Sequence, residues 1–176
     1  MKKKVLITGP PRVGKSTLIS RLISHYSLKG YGITGFLTPE VKVDNKRIGF
    51  DALEIQTNRK VKLARKGDYQ TRFKLGRYRV FVNEFESFLS EFEFFKKNKM
   101  DLIILDEIGK MELFSTKFQN LIKSIFQSEI PIIATIGEKL QHPIKDFLLN
   151  LPEVILFHLN RQNQDKILQE IISVIS

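Results

Sequence analysis

Residues 9–16 read Gly9-Pro10-Pro11-Arg12-Val13-Gly14-Lys15-Ser16. They fit the pattern G-x-x-x-x-G-K-[ST], in which the backbone N–H groups of a loop converge on phosphate oxygens. Residues 4–8 before them are rich in apolar and β-branched side chains, and apolar residues at helical spacing follow from Lys15. A helix that starts here points its unpaired N–H donors and the positive end of its dipole at the phosphates. The sequence therefore predicts a phosphate-binding loop between a buried strand and a helix.

The side chains of this loop have separate predicted roles. Lys15 is expected to reach the β- and γ-phosphates of a nucleotide, and the Ser16 hydroxyl is expected to bind Mg²⁺. Glycine at 9 and 14 lets the backbone approach the phosphates without a Cβ in the way. The residues predicted to contact the nucleotide here are Gly9, Pro10, Pro11, Arg12, Val13, Gly14, Lys15, Ser16 and Thr17.

A second site is predicted in residues 101–107, which read Asp101-Leu102-Ile103-Ile104-Leu105-Asp106-Glu107. Four consecutive apolar residues predict a buried strand, and open α/β sheets bind ligands at the carboxyl ends of their strands. Asp106 is expected to hold the magnesium, directly or through water. Glu107 is expected to orient and deprotonate the attacking water, which a hydrolase requires and a nucleotide-binding protein does not. The alternative is two ordinary charges at a strand end.

Phosphoryl transfer also requires a positive charge, because negative charge spreads over the oxygens of the transferring group. Arg77 and Arg79 are the first candidates, since Gly76-Arg77-Tyr78-Arg79-Val80 reads as an ordered turn. For each cationic candidate the alternative is a solvated surface charge. The other candidates are Arg12, Lys110 and Arg72.

Two further features have both a functional and a structural interpretation. Thr135 ends a predicted strand and either senses the γ-phosphate or is an ordinary β-branched strand residue. Residues 160–163, which include Arg161, follow the last predicted strand, where a nucleobase edge can be read. There the alternative is that Asn160 or Asn163 caps the last helix. The three histidines have no ligand spacing, so magnesium is the one metal that the sequence predicts.

Apolar runs of strand length alternate with helical patterns along the whole chain, which predicts an α/β fold with a mostly parallel sheet and helices on both faces. Residues 31–65 predict short strands of a small antiparallel excursion, and residues 65–79, with six basic side chains, predict a mobile loop. We expect one domain over residues 1–176. A further helix is predicted from a capping box at Asn83 and Glu86, with a stripe of phenylalanines that continues to Phe95. The other predicted helices are 15–30, 118–126 and 167–175. The other predicted strands are 4–8, 102–105, 131–136 and 154–157.

Composition and charge narrow the function classes. The chain has no cysteine, which excludes disulfides and thiolate zinc sites, and its first apolar run is too short for a signal peptide. We expect a cytoplasmic protein with no membrane partner. Residues 1–80 carry a net charge of +14 and residues 81–176 carry −4. A basic half suits a triphosphate or, less favoured, a nucleic acid. Two alternatives therefore remain: a nucleic-acid-linked ATPase or switch, and a small-molecule or nucleoside kinase with residues 65–79 as a lid.

Over nearly its whole length the chain resembles the small P-loop nucleoside-triphosphatases of the cancer-related nucleoside-triphosphatase type. Residues 106–113, Asp-Glu-Ile-Gly-Lys-Met-Glu-Leu, are the most specific part of this resemblance. The chain has Arg12 where that family usually has glycine. It has Ser16 where the family often has threonine, and serine keeps the hydroxyl group that is expected to bind magnesium. The other segments that carry the resemblance are 9–18, 35–41, 47–50, 76–80, 142–143 and 159–161.

The resemblance implies a three-layer α/β/α fold of the RecA-like branch. It also implies hydrolysis of ATP, GTP, CTP, UTP or TTP to nucleoside diphosphate and phosphate, with little base selectivity. The family's phosphate-binding residues correspond to residues 9–16 and its acidic site to Asp106 and Glu107. We expect a monomer.

Overall fold

A computed structural model describes residues 3–95 and 102–176. Two residues that the sequence analysis used lie outside the described residues. They are Met1, at the start of the segment considered as a signal peptide, and Asp101, at the start of the second predicted site. The helices are α1 (Lys15–Leu28), α2 (Val82–Ser90), α3 (Thr116–Gln127), α4 (Pro143–Leu149) and α5 (Gln164–Ile175), with a 3₁₀ turn at Glu112–Phe114. The strands are β1 (Lys4–Thr8), β2 (Ile33–Leu37), β3 (Glu40–Val43), β4 (Lys46–Glu54), β5 (Lys60–Lys66), β6 (Lys74–Leu75), β7 (Tyr78–Val80), β8 (Leu102–Ile108), β9 (Ile132–Ile136) and β10 (Val154–His158).

All these strands belong to one sheet with the order β10-β1-β9-β8-β2-β4-β5-β7-β6, and β3 pairs with β4. The first five strands in this order are parallel to one another, and the remaining pairs are antiparallel. The predicted parallel sheet with an antiparallel excursion is confirmed, although the antiparallel part is larger than expected.

Two apolar layers cover the parallel strands, one on each face. Side chains alternate along β1, so Val5 and Ile7 pack on one face and Leu6 on the other. Helices α1 and α5 cover the first face, and α2, α3 and α4 cover the second. Each fully buried aliphatic side chain contributes about 1.5–3 kcal/mol of transfer free energy. Because helices cover both faces of the sheet, the predicted three-layer α/β/α arrangement is confirmed.

Strand β2 differs from the prediction, which placed it in the antiparallel excursion. It pairs in parallel with β8, from Ile33 opposite Leu102 to Leu37 opposite Asp106. Gly35 has a φ of 144°, and a Cβ there would lie 1.8 Å from the carbonyl oxygen of Ile104. Only glycine allows this close approach, so β2 belongs to the core sheet.

The antiparallel strands extend past the carboxyl edge of the parallel sheet. Only Phe36 and Leu37 of β2 pair with β4, opposite Glu54 and Leu53. The rest of β4 therefore continues beyond the end of β2, and β3, β5, β6 and β7 continue with it. We call residues 40–80 the β arm. It stands beside the edge at which the predicted site lies.

The predicted loop over residues 65–79 is only partly a loop, because both of its ends contain strands and residues 67–73 between them contain none. Strand β5 continues to Lys66, and β6 and β7 form an antiparallel pair. Its basic side chains are partly engaged inside the arm. The Arg65 guanidinium, 10% exposed, donates to Asp51 Oδ1 at 2.6 Å. An ion pair of this kind carries no periodic signal in the sequence.

Two predictions about helices also need correction. The capping box at Asn83 and Glu86 is absent, since α2 begins at Val82 without a side-chain cap and Glu86 instead accepts a hydrogen bond from Ser115 Oγ at 3.0 Å. The helix ends at Ser90, so the predicted stripe loses its last members, and Phe95 is half exposed. In the described residues, no helix has the length and apolar character that a membrane crossing needs.

Candidate active site

The phosphate-binding loop connects β1 to α1, as the sequence predicts. Two of its residues have left-handed backbones, Arg12 with a φ of 63° and Gly14 with a φ of 105°. Gly9 lies against the chain after β10, where a Cβ would be 2.7 Å from the carbonyl oxygen of Leu159. The ammonium of Lys15 donates to the Gly9 carbonyl oxygen at 2.6 Å, which folds this side chain over the loop. The left-handed backbone at 12 explains why glycine suits that position.

The two predicted magnesium ligands come together although they are far apart in the chain. The Ser16 hydroxyl donates to Asp106 Oδ2 at 2.8 Å, and the Thr135 hydroxyl donates to Asp106 Oδ1 at 2.6 Å. Thr38 donates to the Asp106 carbonyl oxygen twice, from its backbone nitrogen at 2.6 Å and its hydroxyl at 2.9 Å. The carboxylate and the backbone of Asp106 are thus held by β9, by α1 and by the chain after β2.

Glu107 follows Asp106 through a cis peptide bond and is half-buried. Burial raises the pKa of its carboxyl group, and the charge of Asp106 raises it further, whereas Lys15 lowers it. Glu107 is therefore within electrostatic reach of both Asp106 and Lys15. A carboxylate whose pKa is raised is a stronger base than an exposed one.

A second glutamate lies next to Glu107 and was given no role from the sequence. Glu112 is 4% exposed, and its Oε2 accepts a hydrogen bond from the Gly109 N–H at 3.1 Å. Burial, followed by the charge of Glu107, raises its pKa to about 8. A Cβ on Gly109 would lie 2.8 Å from Glu107 Oε1 and 2.9 Å from Glu112 Oε2. The two carboxyl groups therefore lie beside Gly109, and a larger residue there would displace them.

These residues open onto a cavity of about 820 Å³. One wall is the phosphate-binding loop, and a second is the chain from Asp106 to Glu112. The turn after β9, residues 137–140, forms a third wall. The β arm forms the fourth, through Glu40, Arg47, Phe50 and Leu75, together with Thr38 and Pro39, which lead into it.

Most of the predicted site residues line this cavity, and some do not. Pro10 and Val13 are outside the lining, and Val13 packs in the core. Arg77 lies in the exposed turn between β6 and β7, and Arg79 lies in β7 opposite Arg65; neither lines the cavity. The predicted residues in the lining are Gly9, Pro11, Arg12, Gly14, Lys15, Ser16, Thr17, Asp106, Glu107 and Lys110.

Arg161 and its neighbours form a turn after β10, outside the cavity lining. Asn160 Oδ1 accepts hydrogen bonds from the backbone nitrogens of Gln162 and Asn163 at 2.8 and 2.9 Å. Asn163 occupies the N-cap position of α5 by place, yet its side chain accepts from the Asn160 nitrogen rather than from the helix. The roles of Arg161, Arg77 and Arg79 remain predictions.

The residues that the sequence did not identify come from the arm and from the chain after β8. Arg47, Phe50 and Glu112 lie in segments that carry the family resemblance, which is the signal that could have marked them. Periodicity could not, because Arg47 and Phe50 read as strand residues. Their place in the site depends on how far the arm extends past the sheet edge.

The chain matches the NTPase family over residues 4–172. The nucleoside-triphosphatase THEP1 of Thermotoga sp. (strain RQ2) is 40% identical over 173 residues, which cover 98% of this chain and 95% of the relative. The crystal structure of THEP1 from Aquifex aeolicus superposes with a TM-score of 0.81 at 32% identity and covers 98% of this chain and 99% of its own.

The solution structure of a human cancer-related nucleoside triphosphatase superposes with a TM-score of 0.80 at 29% identity, over 99% of this chain and 97% of its own. Similarity therefore extends over essentially the whole chain in both sequence and fold. With its phosphate-binding loop and its acidic strand end joined at one cavity, the chain belongs to the NTPase family.

Proposed function

We propose that this protein is a hydrolase that converts nucleoside triphosphates to nucleoside diphosphates and phosphate, with magnesium and little base selectivity, in a single domain. One observation carries the proposal. Lys15, Ser16, Asp106 and Glu107 line the same cavity, and Ser16 and Asp106 are in direct hydrogen-bond contact. A phosphate-binding lysine, two oxygen ligands for a cation and a half-buried carboxylate are the groups that water attack on a γ-phosphate requires.

The donor set at Asp106 fits magnesium. Hard cations take oxygen ligands, and Mg²⁺ is held in such sites by one or two protein oxygens together with waters and phosphate oxygens. Ser16 Oγ and an Asp106 carboxylate oxygen are the protein ligands we propose. No cluster of three His, Cys, Asp or Glu suited to a metal occurs within residues 3–95 and 102–176, and such a magnesium site does not need one. When bound, the ion neutralises charge on the phosphate oxygens.

Glu107 is the proposed general base. It accepts a proton from the attacking water, whose oxygen forms a bond to the γ-phosphorus as the bond to the β–γ bridging oxygen breaks. The burial that raises the pKa of Glu107 strengthens it as a base, and Lys15 nearby limits the rise. Lys15 remains available to the phosphate oxygens once it leaves the Gly9 carbonyl oxygen.

Low base selectivity is supported by what surrounds the cavity. Among the described residues in its lining there is no Asn or Gln, the side chains that pair with the edge of adenine through two hydrogen bonds. Asn160, in the turn where a base edge was predicted to be read, already uses its amide oxygen within that turn. A site that grips the triphosphate and makes few base contacts accepts several nucleotides.

Phosphate release from ATP, GTP, CTP and UTP, with and without Mg²⁺, tests the proposal. The wild type should turn over several nucleotides with magnesium. Glu107→Gln should lose about 10²–10⁴ in rate, because it cannot accept the proton, and should still bind nucleotide. Glu84→Gln makes the same chemical change at an exposed residue of α2, outside the cavity lining, and is the matched control.

The assay also separates the alternatives. Turnover that requires added DNA or RNA would replace the free hydrolase with a nucleic-acid-linked ATPase. Turnover that requires an acceptor alcohol or nucleoside would indicate a kinase. Near-normal turnover of Glu107→Gln would remove Glu107 as the base and leave the phosphate-binding loop in place.

A further inference from the structure

Arg47 lies on β4 and brings a positive charge from the β arm into the cavity. The cavity lining contains two arginines among the described residues, Arg12 and Arg47. Arg12 belongs to the phosphate-binding loop itself, whereas Arg47 comes from the β arm and lines the same cavity as Lys15 and Glu107. Arg47 is thus an arginine that the β arm presents to the cavity in which the loop would hold a nucleotide.

The guanidinium of Arg47 is held in place by three neighbours. Its Nε donates to Tyr78 Oη at 2.7 Å, and its Nη1 donates to Glu40 Oε1 at 3.2 Å. Its central carbon lies 5.2 Å from the centre of the Phe50 ring and 5.7 Å from that of Tyr78. Two hydrogen bonds and two aromatic faces restrict the rotamers of a long side chain, so little entropy remains to be lost when a ligand binds.

These contacts leave part of the guanidinium available. An arginine has five N–H donors, and the described contacts of Arg47 use one at Nε and one at Nη1. Within the part of the chain that the structure describes, Nη2 donates to no residue, and the side chain is 41% exposed. A fork with free donors is the geometry that binds two phosphate oxygens.

Arg47 is also connected to the metal site through the chain. Strand β3 begins two residues after Thr38, whose backbone nitrogen and hydroxyl both donate to the Asp106 carbonyl oxygen. Glu40, the partner of Arg47, is the first residue of that strand. Thr38 therefore joins the start of the arm to Asp106, the proposed magnesium ligand. Through Glu40, two residues further on, Arg47 is connected to the same junction.

We propose that Arg47 is the arginine that stabilises the negative charge on the transferring phosphoryl group, supplied from the β arm of the same chain. The inference rests on the proposed hydrolase function. Water oxygen bonds to the γ-phosphorus, the bond to the bridging oxygen breaks, and its electron pair stays on the diphosphate. The proton of the water goes to Glu107. Arg47 only donates hydrogen bonds to the equatorial oxygens and keeps its own protons.

The test compares Arg47→Ala, Arg47→Lys and Tyr78→Phe with Lys46→Ala as the matched control. Lys46 precedes Arg47 on the same strand, is exposed and lies outside the cavity lining, so its variant also removes one positive charge. Arg47→Ala should lower kcat by about 10²–10³, with KM and the affinity for nucleoside diphosphate changed by less than about threefold. Arg47→Lys should fall between it and the wild type, and Lys46→Ala should stay within about twofold.

Two further readouts separate a catalytic role from a structural one. Nucleoside diphosphate with aluminium fluoride and magnesium mimics the transferring group, and Arg47→Ala should lose most of the extra affinity that the fluoride gives the wild type. Tyr78→Phe keeps the ring and removes the oxygen that accepts from Nε, so kcat should fall by about three- to tenfold with KM unchanged. Thermal unfolding of each variant checks that the arm is intact.

A kcat within about threefold of wild type for Arg47→Ala, or a loss confined to KM, would overturn the inference. A large kcat loss in Arg77→Ala or Arg79→Ala, with Arg47→Ala unaffected, would return the role to the residues that the sequence predicted. These results leave the hydrolase proposal standing. If the wild type and Lys46→Ala release no phosphate at all, the hydrolase proposal fails, and the inference fails with it. If Arg47→Ala does not fold, Arg47→Lys and Tyr78→Phe decide.

Discussion

Glu112 shows how one buried side chain couples the site to the stability of the fold. Its carboxyl group is 4% exposed, lies against Gly109, and faces the carboxyl group of Glu107. Burial raises its pKa to about 8 from a reference value of 4.5. At neutral pH the folded protein therefore keeps a proton on Glu112, which avoids a second negative charge beside Glu107.

This raised pKa gives a pH dependence of stability with a defined sign. Between the unfolded value near 4.5 and the folded value of about 8, the folded state binds more protons than the unfolded state. The free energy of unfolding should therefore decrease as pH rises through this window. Glu112→Gln, which is neutral at every pH, should flatten the slope, whereas Glu84→Gln should not. Chemical unfolding between pH 5 and 8 measures the slope, and an unchanged slope in Glu112→Gln would contradict the assignment.

Arg12 gives a second prediction at this scale. Its φ of 63° lies in the left-handed region, which costs an L-residue roughly 1–2 kcal/mol and glycine almost nothing. Arg12→Gly should therefore raise the free energy of unfolding by up to about 1 kcal/mol, after allowance for the greater freedom of glycine in the unfolded chain. Urea unfolding measures the change, with Arg12→Ala as the comparison that keeps the left-handed cost. A less stable Arg12→Gly would show that the arginine side chain stabilises the loop.

At the scale of elements, the outcome of prediction depends on whether the signal is local. Strands β1, β8, β9 and β10 and helices α1, α3 and α5 follow from apolar runs and helical spacing. The short strands of residues 31–65 were also predicted, but the pairing of β2 and the extent of the arm were not, because a short apolar run does not say which strand it pairs with. Helix α4 was not predicted at all; its N-cap is His142, whose Nδ1 accepts from the Ile144 N–H at 3.1 Å.

The pairing of β2 with β8 depends on one glycine, which can be tested. A methyl group on Gly35 would meet the Ile104 carbonyl oxygen at 1.8 Å, a backbone atom that cannot move without breaking the sheet. Gly35→Ala should lower the free energy of unfolding by more than about 3 kcal/mol. Gly137→Ala adds the same methyl group with its nearest neighbour at 3.4 Å and should cost much less. Equal unfolding midpoints for the two variants would contradict the close approach.

At the scale of the whole molecule, charge is divided between the two halves of the chain. Residues 1–80, which hold the phosphate-binding loop and the β arm, carry +14, and residues 81–176 carry −4. The candidate site lies between them, because Ser16 comes from the first half and Asp106 from the second. The basic half attracts polyphosphates over a distance that salt shortens.

The KM for MgATP should therefore rise several-fold between about 50 mM and about 500 mM KCl, because the Debye length falls from about 14 Å to about 4 Å. The value of kcat should change by less than about twofold, since Lys15 and the proposed metal ligands act at contact distance. Steady-state kinetics over a salt series measures both. A fall in kcat with KM unchanged would place the salt effect on the reaction step instead of on attraction of the substrate.

The site residues that could be predicted are those whose chemistry is marked by a local sequence pattern. Lys15, Ser16, Asp106 and Glu107 follow from a motif and from a strand that ends in carboxylates. Arg47 does not, because an arginine in an antiparallel strand has no local mark of function. Arg47 reaches the cavity only because β4 extends beyond the end of β2. That extension depends on how the strands pair in the sheet and cannot be read from a single segment.

The double hydrogen bond from Thr38 to the Asp106 carbonyl oxygen has a spectroscopic consequence. The amide proton of Thr38 lies at the point where the arm joins the parallel sheet, so solvent can exchange this proton only when that junction opens. Hydrogen–deuterium exchange at this one amide therefore reports the opening of the arm. If nucleotide with magnesium holds Asp106 and the arm together, exchange at Thr38 slows on binding, and one NMR resonance then follows the state of the site.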